Sequence, residues 1–158
     1  MSNISMTTSK RNAIVTVMLI SAFVSMLNQT ILNTALPAII KGLNITETTA
    51  QWLITGFMLV NGIMIPLTAF LMDKYSTRHL YIFSMAIFLL GSIVAAFSPT
   101  FSILMISRII QAIGAGILLP LMQFTVFTLF PAEQRGFAMG LAGVVVQSAP
   151  AIGPTLTG

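Results

Sequence analysis

Arg108 and Gln111 stand three residues apart in the stretch "SRIIQAIGAG" (Ser107–Gly116), which is otherwise apolar or small. Residues at that spacing share a helical face. A guanidinium with five donors and an amide that can accept would therefore meet on one helix. A second polar cluster, "LNQTILNTALP" (Leu27–Pro37), puts Asn28, Gln29, Thr30, Asn33 and Thr34 within seven positions. A lone amide in a membrane helix usually bonds to a neighbouring helix. Five polar side chains in two turns exceed what packing needs and point to a face lining a wet cavity. Asn61, Gln123 and Gln147 would add to it from other helices, although each taken singly also reads as packing.

The chemistry missing from these stretches is equally informative. The three carboxylates, Glu47, Asp73 and Glu133, all lie between or at the ends of the long apolar runs. Moving protons across a membrane usually relies on a buried carboxylate that titrates. Arg108 cannot take that part alone, because a guanidinium stays protonated. The single histidine, His79, reads as a solvated side chain at an interface. With no cysteine and no nucleophile–base pair beside the apolar runs, neither an enzyme nor a metal site is expected, and no cofactor is implied.

The elements that position these residues must be membrane helices. Only 6% of the 158 residues are charged and 56% are hydrophobic, with a mean hydropathy of +0.98. Soluble domains carry about 25% charged residues, so lipid is the solvent implied. The net charge of +4 comes from seven basic residues scattered along the chain. That makes no nucleic-acid-binding patch. The start, "MSNISMTTSKRN", is polar and is followed by an apolar run too long for a cleaved signal. Residues 1–12 are expected to form a flexible cytoplasmic tail.

Charges cut the chain into five uncharged runs: Asn12–Ile40, Thr48–Met72, His79–Ser107, Ile109–Ala132 and Gly136–Gly158. Each is long enough to cross a bilayer as a helix. "SPTF" (Ser98–Phe101) is a better turn than Arg108, which places Arg108 inside the fourth span, about 10 Å below its start. Insertion there costs about 2.5–3.5 kcal/mol on biological scales. The side chain should face protein or water, or else snorkel back to the interface. The expected spans are about 13–36, 51–72, 79–98, 102–130 and 136–158, with about a dozen residues in the loop after the first. An inside N-terminus keeps Lys10, Arg11, Lys74, Arg78 and Arg135 on the cytoplasmic side, against Lys41 alone outside. That satisfies the positive-inside rule and puts the C-terminus outside. Trp52, Tyr75 and Tyr81 fit interfacial anchoring. Small residues at Ala112/Gly116 and Gly136/Gly140 predict close helix pairing, and eleven methionines supply adaptable apolar surface.

Four motifs in order resemble the major facilitator superfamily, specifically its fourteen-span drug:proton antiporters. "LNQTILNTALP" resembles the first-span motif, and "AFLMDKYSTRHL" (Ala69–Leu80) the motif between spans two and three. "SRIIQAIGAG" resembles the Arg-x-x-Gln-Gly motif of span four, and "APAIGPTLTG" (Ala149–Gly158) the antiporter motif of span five. The resemblance implies a cytoplasmic gate at Asp73, Lys74 and Arg78, although both basic residues also suit simple inside anchoring. It implies proton coupling at Arg108 with Gln111 beside it. It also implies that Pro150, Gly153, Pro154 and Gly158 let span five bend and pack between two halves. Some positions depart from the pattern. Asn28 stands where an aspartate is usual, which removes a carboxylate that would attract cations. Ala69, Ser76, Thr77, Ala112 and Ala149 replace glycines or a basic residue.

The fold expected is therefore an all-α integral membrane bundle of about five helices, an incomplete N-terminal half of such a transporter in the cell membrane. Two rocking halves are needed for transport, so the segment is expected to be inactive alone. Its partners would be lipid, the missing C-terminal spans and, in the parent protein, a small amphipathic substrate and protons. The alternative is a stand-alone five-helix scaffold or subunit that oligomerises.

Overall fold

In a computed structural model, residues 7–157 are described, and they form five helices. These are α1 (Thr8–Leu43), α2 (Glu47–Lys74), α3 (Thr77–Ala96), α4 (Phe101–Leu129) and α5 (Ala132–Thr157). All five are long and apolar enough to cross a membrane. Of the expected tail, Thr8–Asn12 is already helical, while residues 1–6 lie outside the described residues, as does Gly158.

The helix ends follow local chemistry. Thr46, Ser76 and Thr100 each accept a hydrogen bond at an N-cap, from the backbone N–H groups of Thr49, His79 and Ile103. Such caps satisfy donors that no intrahelical carbonyl can reach. Glu47 in the first turn of α2 and Lys41 in the last turn of α1 complement the helix dipoles. Asn44 ends α1 in the left-handed region, φ 51°, and its N–H returns to the carbonyl of Ile40. Asparagine tolerates that conformation better than most side chains. The turn after α1 is thus only Asn44–Thr46, where a loop of about a dozen residues was expected. Nothing in "AIIKGL" stops a helix that Asn44 can end.

The bundle is organised around α4. Fourteen of its 29 residues are buried, against four to six in each of α1, α2 and α3. Glycines bring its neighbours close. A Cβ at Gly114 would stand 2.6 Å from the carbonyl oxygen of Ser84 in α3, and one at Gly116 2.5 Å from the Met64 Cβ in α2. The expected Ala112/Gly116 pairing is therefore present. Pro120 has no N–H to give the Gly116 carbonyl, and the Thr68 hydroxyl of α2 lies 3.3 Å from that oxygen. The hydroxyl shares its one proton, with the Met64 carbonyl of its own helix nearer at 2.7 Å, so the carbonyl freed by proline receives the weaker branch from a neighbouring helix.

α5 lies along α1, burying Ala138, Ala142, Val146 and Ala149 at helical spacing. At the far end Gly153 lies against Thr30. The Gly136/Gly140 expectation is not met among the described residues: both glycines are exposed, with no heavy atom near enough to touch an added Cβ. The spacing was right for close packing, but that face of α5 turns away from α1. The bundle exposes Val17, Ile20, Leu59, Ile63, Leu89 and Phe137 among many large apolar side chains. That surface suits lipid and would be a liability in water.

Candidate polar site in the bundle

Arg108 does not snorkel. It is 1% exposed and turned into the bundle. One guanidinium nitrogen, Nη1, donates to the Gln111 Oε1 at 2.8 Å and to the Asn28 Oδ1 at 3.2 Å. The guanidinium carbon lies 4.3 Å from the ring centroid of Phe57 in α2, a cation–π contact. Three helices, α1, α2 and α4, therefore converge on one charge. Arginine can only donate, so both amides must present oxygen to it. The Gln111 Nε2 is thereby aimed away and donates to the Ser92 Oγ of α3 at 3.1 Å. The Ser92 hydroxyl in turn donates to the Phe88 carbonyl at 2.9 Å.

The site carries an unbalanced charge. Nε and Nη2 of Arg108 are buried with no hydrogen-bond partner. Glu47, Asp73 and Glu133 lie at or within two residues of helix ends, so no carboxylate sits mid-span among the described residues. Asn28 occupies the place where an acid would have balanced Arg108, and its neutral oxygen supplies only part of that stabilisation. Hydrogen bonds to a charged group contribute about 1.5–3 kcal/mol each. Two such bonds are of the same order as the several kcal/mol by which burying an ion is opposed, so they leave little net gain.

The other expected cavity residues do not gather here. Gln29 and Asn61 are half-buried, whereas Asn33, Gln123 and Gln147 are exposed. Of the six, the structure brings only Asn28 to Arg108. Asp73, Lys74 and Arg78 all stand exposed around the α2–α3 turn, with the Lys74 ammonium 4.4 Å from the Phe70 ring centroid. In α5, Pro150 and Pro154 are exposed, Gly153 is buried against α1, and the helix runs through both prolines. Beside the α2–α3 turn, a cavity of about 730 Å³ opens between α1, α3 and α4. Its lining is almost wholly apolar, with Arg78 and Tyr81 at one side. At the same end Arg11 stacks on Phe130, and the Arg135 Nε donates to the Phe130 carbonyl, tying α1 and α5 to α4.

Sequence reasoning missed Phe57, Gly91 and Ser92. An aromatic, a glycine and a serine in apolar helices carry no signal until the helix register is known.

Comparison with known proteins agrees with this architecture. A sequence profile described as Major Facilitator Superfamily matches residues 18–158. The chain belongs to the major facilitator superfamily. It is 55% identical over 148 residues to the uncharacterized MFS-type transporter YcnB of Bacillus subtilis, covering 94% of this chain and 31% of that protein. It is 46% identical over 141 residues to the lincomycin resistance protein LmrB of the same organism, covering 89% and 29%. To the probable multidrug resistance protein EmrY of Escherichia coli it is 35% identical over 139 residues, covering 88% and 27%. The chain thus spans about a third of the length of these relatives. Its superfamily comprises transporters, not enzymes.

Proposed function

We propose that these five spans work as the opening part of a multidrug exporter that expels an amphipathic compound in exchange for protons. The observation that carries this reading is the buried guanidinium of Arg108, two turns inside α4 and joined to α1 and α2, with no carboxylate beside it. Such a charge is costly to keep in a membrane without a task. The resistance functions named for LmrB and EmrY support the substrate class. Arg108 stays protonated, so its part is electrostatic: it raises or lowers the cost of charge elsewhere as the protein moves. The group that titrates belongs to another part of the transporter.

Asp73, Lys74 and Arg78 serve the cytoplasmic gate in this reading. Gln29, Asn33, Asn61, Gln123 and Gln147, with Asn28, present polar groups toward the substrate path. Pro150, Gly153 and Pro154 shape the span that meets the second half, and Gly158 of the same motif lies outside the described residues. The end bearing Arg11, Lys74 and Arg135 is cytoplasmic, so a phosphatase fused after residue 158 should be active. An inactive fusion would reverse this topology.

The test is expression in cells stripped of their own exporters. The full transporter should lower drug accumulation, and a protonophore should abolish that effect. Residues 1–158 alone should confer nothing, and resistance from them would overturn the two-body mechanism. The exposed Gly136/Gly140 face favours a second reading, a five-helix scaffold that self-associates. Crosslinking that yields only monomers of the chain removes it.

A further inference from the structure

We infer that Ser92 is a positioning residue for Arg108, acting through Gln111 from a seat that Gly91 makes possible. This rests on the functional reading above only for its consequence in transport. The juxtaposition itself is geometric.

An amide side chain has two ends of opposite hydrogen-bonding sense, and burial makes the choice of end expensive to leave open. Gln111 is 1% exposed, so both of its ends need partners. Its Oε1 accepts from Arg108 at 2.8 Å, and its Nε2 donates to Ser92 at 3.1 Å. Ser92 can accept because its own proton is committed to the Phe88 carbonyl. The result is an oriented chain across three helices. It runs from the α3 backbone through Ser92 and Gln111 to Arg108, and from Arg108 to Asn28 of α1.

Ser92 reaches Gln111 only because α3 and α4 approach so closely there. A Cβ at Gly91 would lie 2.7 Å from the Gln111 Cγ and 2.9 Å from both the Gln111 nitrogen and the Ser107 carbonyl oxygen. Two of those three atoms are backbone and cannot swing aside. Gly91 and Ser92 thus form one device: the first removes the side chain that would hold the helices apart, and the second uses the contact. Without the serine hydroxyl, the buried Gln111 NH2 has no acceptor there. The amide is then held at its Oε1 end alone, and the group that accepts the shortest hydrogen bond of Arg108 is free to shift.

Two substitutions of equal shape separate this from simple packing. Ser92→Thr keeps the hydroxyl, whereas Ser92→Val replaces it with a methyl group. In the purified chain with nitrogen-15-labelled glutamine, the Gln111 side-chain amide, assigned by its loss in Gln111→Leu, should be shielded from solvent exchange. Ser92→Thr should keep that protection. Ser92→Val should weaken it by about two- to tenfold, the range set by one hydrogen bond. Equal protection in the two variants overturns the proposal. In the full transporter, Ser92→Val should then change the pH profile of drug transport, and Ser92→Thr should restore it. An altered amide with an unchanged pH profile would show that Ser92 supports structure alone, which also overturns the positioning role. If the wild-type transporter shows no proton dependence, the functional reading fails, and the amide measurement still decides the geometry.

Discussion

Gly114→Ala and Gly143→Ala make the same chemical change in two helices, and the structure gives them opposite outcomes. Each replaces glycine inside a helix, which on propensity alone favours the variant by about 1 kcal/mol. At Gly143 the new methyl meets nothing within 4 Å, so the propensity gain should stand. At Gly114 it would lie 2.6 Å from the Ser84 carbonyl oxygen and 2.9 Å from the nitrogen and Cβ of Phe88. Ordinary contact begins near 3.4 Å, so the α3 backbone must recede by about 0.8 Å. Forced overpacking of this kind costs about 1–3 kcal/mol. Gly114→Ala should therefore be less stable than Gly143→Ala by about 1–3 kcal/mol, the propensity term cancelling between them. Thermal unfolding in detergent, followed by the fluorescence of the single tryptophan, Trp52, measures the difference. Equal stability of the two variants would refute the claim that α3 and α4 touch backbone to backbone at Gly114.

Two further outcomes test local devices. Thr68→Val should cost about 1 kcal/mol by removing a hydroxyl that bonds the Met64 carbonyl of its own helix and, more weakly, the Gly116 carbonyl. The cost should shrink in a Pro120→Ala background, where residue 120 regains the N–H that serves that carbonyl, and a double-mutant unfolding cycle reads the coupling. Asn44→Val should destabilise α1 by about 1–2 kcal/mol, because a branched side chain is strained at positive φ. Asn44→Gly should not, and the same unfolding assay separates them.

Much of the architecture was legible in the sequence because charge is so scarce. Each uncharged run is long enough to span a bilayer, and with the turn at Ser98–Phe101 in place of Arg108 as the third boundary the five expected spans match the five helices. Their ends were harder to read. The first span was expected to end near residue 36, yet α1 runs through Pro37 to Leu43, where Asn44 caps it. The Arg108–Gln111 pair was legible from spacing on a single helix, since i and i+3 meet whatever surrounds them. The contacts from Asn28, Phe57 and Ser92 come from other helices, and no spacing rule fixes the register between helices. The same limit explains the glycines. Gly136/Gly140 has the spacing of a packing face but points outward, whereas Gly91 and Gly114 bring α3 and α4 close enough for an added Cβ to meet backbone atoms within 3 Å.

In the function proposed above, Arg108, buried with no carboxylate beside it, couples these five spans to proton-driven export. The most direct measurement is drug transport by the full transporter in inverted membrane vesicles, wild type against Arg108→Lys, with and without a pH gradient. Lysine keeps the charge but loses the planar fork that lets Arg108 meet Gln111, Asn28 and the Phe57 ring together. Wild-type transport should depend on the gradient. Arg108→Lys should lower gradient-driven transport about ten- to a hundredfold, the scale of one charge-assisted hydrogen bond lost. Transport that ignores the gradient, or an Arg108→Lys variant that transports like wild type, would contradict this role for Arg108.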